Sequence, residues 1–280
     1  MGLYRRDNHC LTANNEMVVC ALCRKERELL RSHCIPQSVF ELCRDEGLPP
    51  IHIVNGKAVI TCYEAKARFL CSECEDRFSR FGEKTVVGQC FRKLGAFPFR
   101  DKLRKLKPTA NLGNSKVYTS KQIPGSDVKG FRYFAASVFW RSSATRWKIA
   151  EGRYTNNNLG PKYTEQFRKY LVGESGYPSS AAMTMRIYDD EDLHPFVLWP
   201  SVARNHGYHY HVFCIPGIEF CLFVGNALPE EMRRIGLASG VSLIMYLEPF
   251  RNTELFGLLR KSIQSADPKG KLKKWLDSRA

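Results

Sequence analysis

Four cysteines, grouped as Cys20-Ala21-Leu22-Cys23 and Cys71-Ser72-Glu73-Cys74, carry the clearest chemistry in the chain. Two C-x-x-C pairs supply four thiolates, the ligand set of a tetrahedral structural zinc, and a two-residue spacer lets both sulfurs of a pair turn onto one ion. Between the pairs lies Ser32-His33-Cys34-Ile35-Pro36, and Glu75 directly follows the fourth cysteine. His209 and His211 fall on one face of a strand, but no carboxylate or third ligand accompanies them locally, so they read as a polar strand face rather than a metal site. His9-Cys10 lies in a polar, irregular lead-in. Cys34, Cys43, Cys62, Cys90, Cys214 and Cys221 read as small buried hydrophobes.

The elements that must position these residues follow from pattern. Residues 20–23 form a knuckle. Pro36 to Glu46 predict a short helix, with proline at a permitted first-turn position and Gly47 and Pro49-Pro50 ending it. Ile51–Val54 and Ala58–Cys62 are β-rich, and the Asn55-Gly56 between them is a strong hairpin signal. From Ser72 to about Thr85 a helix is expected, with Phe78 and Phe81 facing the metal-bound core and Asp76, Arg77, Arg80 and Lys84 facing out. A knuckle, a hairpin and a helix that starts at the second cysteine pair make the layout of a treble clef.

Beyond this module the pattern changes. Residues 96–130 read as a basic linker, whose run Arg100, Lys102, Arg104, Lys105 and Lys107 is a candidate nucleic-acid contact. Residues 131–147 predict a helix from the spacing of Phe131, Phe134, Ala135, Val138 and Phe139, and residues 162–172 and 229–236 predict two more. Strand-like runs at 183–187, 196–199, 208–215, 218–224 and 241–247 predict an antiparallel meander packed by helices. The fold class is therefore α+β, with residues 1–95 as the zinc module and 131–280 as a second α+β domain ending in a basic stretch, Lys261 to Arg279, that reads as a frayed tail, with a nucleic-acid arm as the alternative.

The chain of 280 residues carries a formal charge of +15, with 44% hydrophobic and 12% aromatic residues, enough for a packed core. A charge of that sign and size favours a polyanionic partner, most simply DNA or RNA. Eleven cysteines in a long chain without an apolar leader read as reduced, intracellular thiols, which points to the cytoplasm rather than to a secreted disulfide scaffold. No run approaches the roughly 20 apolar residues that cross a bilayer.

Residues 20–84 resemble the zinc-bound HNH, or His-Me finger, nucleases, on the strength of Cys20, Cys23, Ser32-His33 with Pro36, and Leu70-Cys71-x-x-Cys74-Glu75. The resemblance covers about a quarter of the chain. It implies a metal-dependent endonuclease acting on nucleic acid, with DNA the expected substrate. It also implies His33 as general base, Glu75 and Ser32 at the positions that hold a catalytic Mg2+ or Mn2+, and the four cysteines on structural zinc. Ser32 stands where the family uses Asp or His, and Lys66 or a neighbour replaces its middle Asn. The remainder, with Ser137-x-x-Trp140-Arg141 and Gly217-x-x-Phe220, resembles uncharacterised bacterial proteins. The resemblance further implies a bacterial or phage setting, with defence against foreign DNA as the expected role. From a different class, the same residues fit a catalytically inactive zinc-stabilised module that binds nucleic acid or a protein partner.

Overall fold

A computed structural model describes residues 18–43, 51–54, 56–60, 65–90, 97–123, 125–150, 153–155, 158–191, 195–205, 208–228 and 244–278. His9, Cys10, Asn55, Cys62 and the helix expected at 229–236 lie outside the described residues. Among the described residues the fold is mixed α+β, with a seven-stranded sheet, one three-stranded sheet and three two-stranded ones.

The short strands β1 (Val18–Val19) and β2 (Glu26–Arg27) flank the first cysteine pair, and β3 (Leu30–His33) runs on from them. After a five-residue helix α1 (Gln37–Glu41) comes the hairpin of β4 (Ile51–Val54) and β5 (Lys57–Ile60). Val54 pairs with Lys57, and Gly56 sits at φ +70°, as the Asn-Gly signal predicts. Strand β6 (Lys66–Leu70) returns antiparallel to β3, opposing His33 to Lys66 and Ser32 to Ala67.

The expected helix after Cys71 is present and longer than its pattern suggested. It runs as α2 (Ser72–Phe78), a π-helical stretch (Ser79–Glu83) and α3 (Lys84–Cys90). The wider π turn corrects one expectation. Phe78 is fully buried, but Phe81 is turned outward and is about half exposed, beneath the guanidinium groups of Arg77 and Arg80. Gly82 takes the inward position instead.

Residues 96–130 are not a linker. They hold the helix α4 (Pro98–Lys105) and the hairpin of β7 (Ala110–Leu112) and β8 (Ser115–Thr119), turned at Gly113 with φ +57°. Strand β8, with Val117 and Tyr118 both buried, joins the main sheet beside β15. That sheet has the order β12 (Leu198–Asn205), β13 (Tyr208–Ile215), β14 (Ile218–Val224), β11 (Ala181–Tyr188), β15 (Ile244–Glu248), β8, β7. Its pairs are antiparallel except β11 with β15, which run parallel, so the sheet is mixed rather than a pure meander. A small strand pair, β9 (Trp147–Ala150) and β10 (Arg153–Thr155), leads into the helix α6 (Gly160–Val172).

The organising element is α5 (Gly125–Ala144). From Val128 to Ser143 it buries Phe131, Phe134, Ala135, Ala136, Val138, Phe139 and Trp140, and also Ser137, Arg141, Ser142 and Ser143. A helix buried on all sides needs its polar groups satisfied. Ser137 and Ser142 accordingly donate to the carbonyls of Phe134 and Phe139 at 2.7 Å each. One side meets the sheet, with Phe139 edge-on to Phe213 at 4.9 Å and Phe134 against Phe220 at 5.7 Å. The other meets the cysteine module, with Trp140 against Phe69 at 6.1 Å and Phe78 at 5.9 Å. One continuous buried cluster therefore runs from Cys20 and Phe78 to Met185 and Phe220, across the boundary expected between two domains.

The basic C-terminal stretch is also folded rather than frayed. It forms α7 (Glu254–Ser265), β16 (Asp267–Pro268) and α8 (Gly270–Asp277). Strand β16 pairs parallel with β5, and Leu272 of α8 is buried.

Candidate metal centre

The sulfur ligands are placed by turns at two chain ends. In the first pair, the Cys20 N–H donates to the Lys25 carbonyl and the Arg24 N–H to the Cys20 carbonyl, each at 2.9 Å. Arg24 closes this knuckle at φ +61°, a left-handed conformation that costs an L-residue roughly 1–2 kcal/mol. The Ala21 N–H donates to Phe69 O at 2.9 Å, which fixes the knuckle beside the end of β6. The second pair starts α2, with Cys71 as the residue before its first turn.

These turns bring Cys20, Cys23, Cys71 and Cys74 together, with all four sulfurs within 4.8 Å of one another. Four Zn–S bonds of about 2.3 Å in a tetrahedron require sulfurs about 3.8 Å apart, and Cys23 Sγ lies 3.9 Å from Cys71 Sγ. The Cys71 N–H donates to Cys20 Sγ at 3.4 Å, a contact that favours a thiolate. The thiols do not behave alike. The hydrogen bond from Cys74 draws the Cys20 thiol well below its usual range, while the same bond and burial push Cys74 up. Burial likewise raises Cys71. Four thiolates at this spacing repel one another, so a bound divalent cation is what lets all four ionise together. The donor set and its spacing fit a metal ion such as zinc.

The module is held from behind by arginines that its cysteine and histidine pattern did not reveal. Arg168 of α6, buried, donates to the Leu22 carbonyl inside the first cysteine pair at 3.0 Å and pairs with Glu165 and Glu174. Arg77 donates to the carbonyls of Leu171 and Val172 at 2.7 Å each, capping the C-terminus of α6. Arg141 of α5 lies 4.4 Å over the Phe78 ring and reaches Glu83 at 2.5 Å. Its other amine approaches the carbonyls of His33 and Cys34 at 3.4 and 3.5 Å. The visible signal was an arginine within the apolar stretch of a core helix, beside Trp140. A buried guanidinium requires several acceptors, and these come from the strand that ends at His33.

The residues expected to do chemistry are distributed as follows. His33 ends β3 and is half-buried. Ser32 is buried, and its hydroxyl lies 3.5 Å from the Leu30 carbonyl. Glu75 stands in the first turn of α2, and its Oε1 is out of solvent without a hydrogen-bond partner among the described residues. Among the described residues the four cysteines are the only cluster of three or more histidine, cysteine or carboxylate side chains placed to share a metal ion. Of the basic run, Arg100 is buried and donates to the carbonyls of Asp190 and Glu191, and Arg104 pairs with Asp189 at 2.5 Å. Lys105 and Lys107 are exposed, and Lys102 is half-buried. His211 is buried against Phe139 rather than on a solvated strand face. Among the described residues no helix is long and apolar enough to cross a membrane. No family model, curated protein or solved structure matches the chain.

Proposed function

We propose that this protein is a zinc-stabilised, metal-dependent nuclease of the HNH, treble-clef kind, acting on nucleic acid and most simply on DNA. The observation that carries the reading is the four-sulfur cluster, whose two halves continue into the strand ending at Ser32-His33 and the helix opening with Glu75. Zinc on the four cysteines is structural, since all four positions around the ion are taken.

In this reading His33 accepts a proton from water as the water oxygen bonds to phosphorus. The phosphorus–oxygen bond to one sugar then breaks, and the departing oxygen takes a proton from solvent. Glu75, with its unpartnered buried oxygen, is the ligand for a Mg2+ or Mn2+ ion. When bound, such an ion supplies charge stabilisation to the phosphate and the leaving oxygen. The Arg141 guanidinium holds the backbone of His33 and Cys34 and so fixes where the imidazole starts. A neutral, buried Ser32 is a poor metal ligand, which favours the second reading, a module that binds nucleic acid without cutting it.

The test is cleavage of supercoiled plasmid, single-stranded DNA and RNA by the zinc-loaded chain with Mg2+ or Mn2+, beside His33→Ala and Glu75→Gln. Cleavage that both substitutions abolish, with metal content and melting temperature unchanged, supports the nuclease. Cleavage that survives His33→Ala refutes it, and salt-sensitive binding without cleavage moves the assignment to the second reading.

A further inference from the structure

Two of the five basic side chains in the run at 100–107, Arg100 and Arg104, are engaged by the segment 189–191, which leaves Lys105 and Lys107 exposed. A larger exposed basic set lies at the other end of the chain. Residues 251–278 are a tenth of the chain and carry seven basic against three acidic side chains, about a quarter of the formal net charge.

This arm is built in place. The Asp267 N–H donates to the Gly56 carbonyl at 2.7 Å and the Lys269 N–H to the Ala58 carbonyl at 2.9 Å, so the arm adds a parallel strand to the β4–β5 hairpin. That hairpin lies in the chain between His33 and Cys71, inside the cysteine module. In α8, Leu272 is buried and Trp275 half-buried, which turns one side of the helix toward the fold. At 100° per residue, Lys271, Lys273 and Lys274 fall outside that apolar sector, and all three are exposed. Among the described residues they make no ion pair, whereas Lys269 pairs with Asp267. Holding lysines rigidly on a helix lowers the ordering cost of contacting a regularly spaced anion.

We infer that α8, pinned to the β4–β5 hairpin, is a docking surface for the phosphodiester backbone of a nucleic acid, with Lys271, Lys273 and Lys274 as its phosphate contacts. The inference rests on the nucleic-acid reading above but not on catalysis, and it assigns the backbone-gripping role to the C-terminus rather than to the run at 100–107.

The experiment measures binding of the zinc-loaded full chain, in a His33→Ala background, to a duplex DNA and to a single-stranded RNA of equal length across a salt series. The arm variant is Lys271→Gln, Lys273→Gln, Lys274→Gln. A charge-matched control is Lys105→Gln, Lys107→Gln, Lys121→Gln, three exposed lysines elsewhere. Each phosphate contact contributes about 0.9 to the slope of log affinity against log salt on duplex DNA, so the arm variant is expected to flatten that slope by about 2.7. The control is expected to change it little. Each contact contributes only about 0.7 on a single strand, so the nucleic acid is identified by the polymer whose affinity at one fixed salt concentration falls more in the arm variant. An unchanged slope in the arm variant, an equal loss in the control, or arm-dependent binding to anionic lipid vesicles with none to nucleic acid overturns the inference. Plasmid cleavage by the chain with His33 intact is scored on parallel samples. Cleavage that is insensitive to the arm variant removes the arm alone, and arm-dependent binding without cleavage removes the nuclease alone.

Discussion

Gly82→Ala and Gly88→Ala place the same methyl group on one continuous helix and are expected to change stability in opposite directions. A Cβ on Gly82 would lie 2.9 Å from both the Cα and the N of Phe134, backbone atoms of α5 that cannot rotate aside. A Cβ on Gly88 meets nothing within 4 Å. Both substitutions gain the helix preference of alanine over glycine, about 1 kcal/mol. Gly88→Ala is therefore expected to stabilise by roughly 0.5–1 kcal/mol. Gly82→Ala also incurs overpacking, about 1–3 kcal/mol. The helix preference cancels between the two variants, so the gap between them isolates the steric cost of the α5 contact. The same crossing is tight at a second point, where Gly130 of α5 faces Thr85, so α5 has no room to slide along the helix. Urea midpoints at constant m-value measure the gap. Gly82→Ala with a midpoint equal to or above that of Gly88→Ala would refute the close crossing and, with it, the π turn as the device that brings Gly82 inward.

Two further outcomes follow from the site and the sheet. Cys74→Ser, or a strong chelator, is expected to remove one metal ion per chain and to unfold the module around residues 20–90, because structural zinc energy is folding energy; metal analysis with circular dichroism checks this, and an intact fold without metal would remove the metal reading. Burial first, and then the nearby His209, hold the His211 imidazole down to about 4, so between that value and the ordinary 6.5 the native state binds fewer protons than the unfolded chain. Stability is then lost as pH falls through this window, by about 2 kcal/mol between pH 7 and pH 5. His211→Phe is expected to lose that much less over the same interval in urea titrations, and equal losses in both proteins would show that His211 is not buried in its neutral form.

Much of this architecture was legible in residue order. The cysteine spacing located the four-sulfur cluster, Asn55-Gly56 located the hairpin, and the aromatic period located α5, because each signal acts within a few residues. What escaped was decided by partners distant in sequence. A π turn has no residue signature, so Phe81 looked like core when Gly82 was. The segment 96–130 read as a linker because β8 makes sense only beside β15, more than a hundred residues away. Arg100 and Arg104 read as candidate nucleic-acid contacts because their partners, in the segment 189–191, lie more than eighty residues away.

The arginines tie the cysteine module to the helical layer behind it. The cysteine module shares one buried cluster with α5 and the sheet. It borrows a core by resting Phe69 and Phe78 on Trp140. That arrangement puts main-chain carbonyls at Leu22, His33 and Cys34 against a buried helical layer, where an unpaired carbonyl is costly. Arg168 and Arg141 answer that need, and each is neutralised in turn by a carboxylate, Glu165 and Glu174 for one and Glu83 for the other. Glu83 closes the π turn, so the irregularity that admits Gly82 to the α5 contact also supplies the partner for Arg141. The position of His33 is thus set from both ends: by β6 through the strand ladder, and by α5 through a guanidinium whose own place depends on the helix that follows Cys71. Metal loss at the cysteines is therefore expected to disturb the position of His33 along both routes.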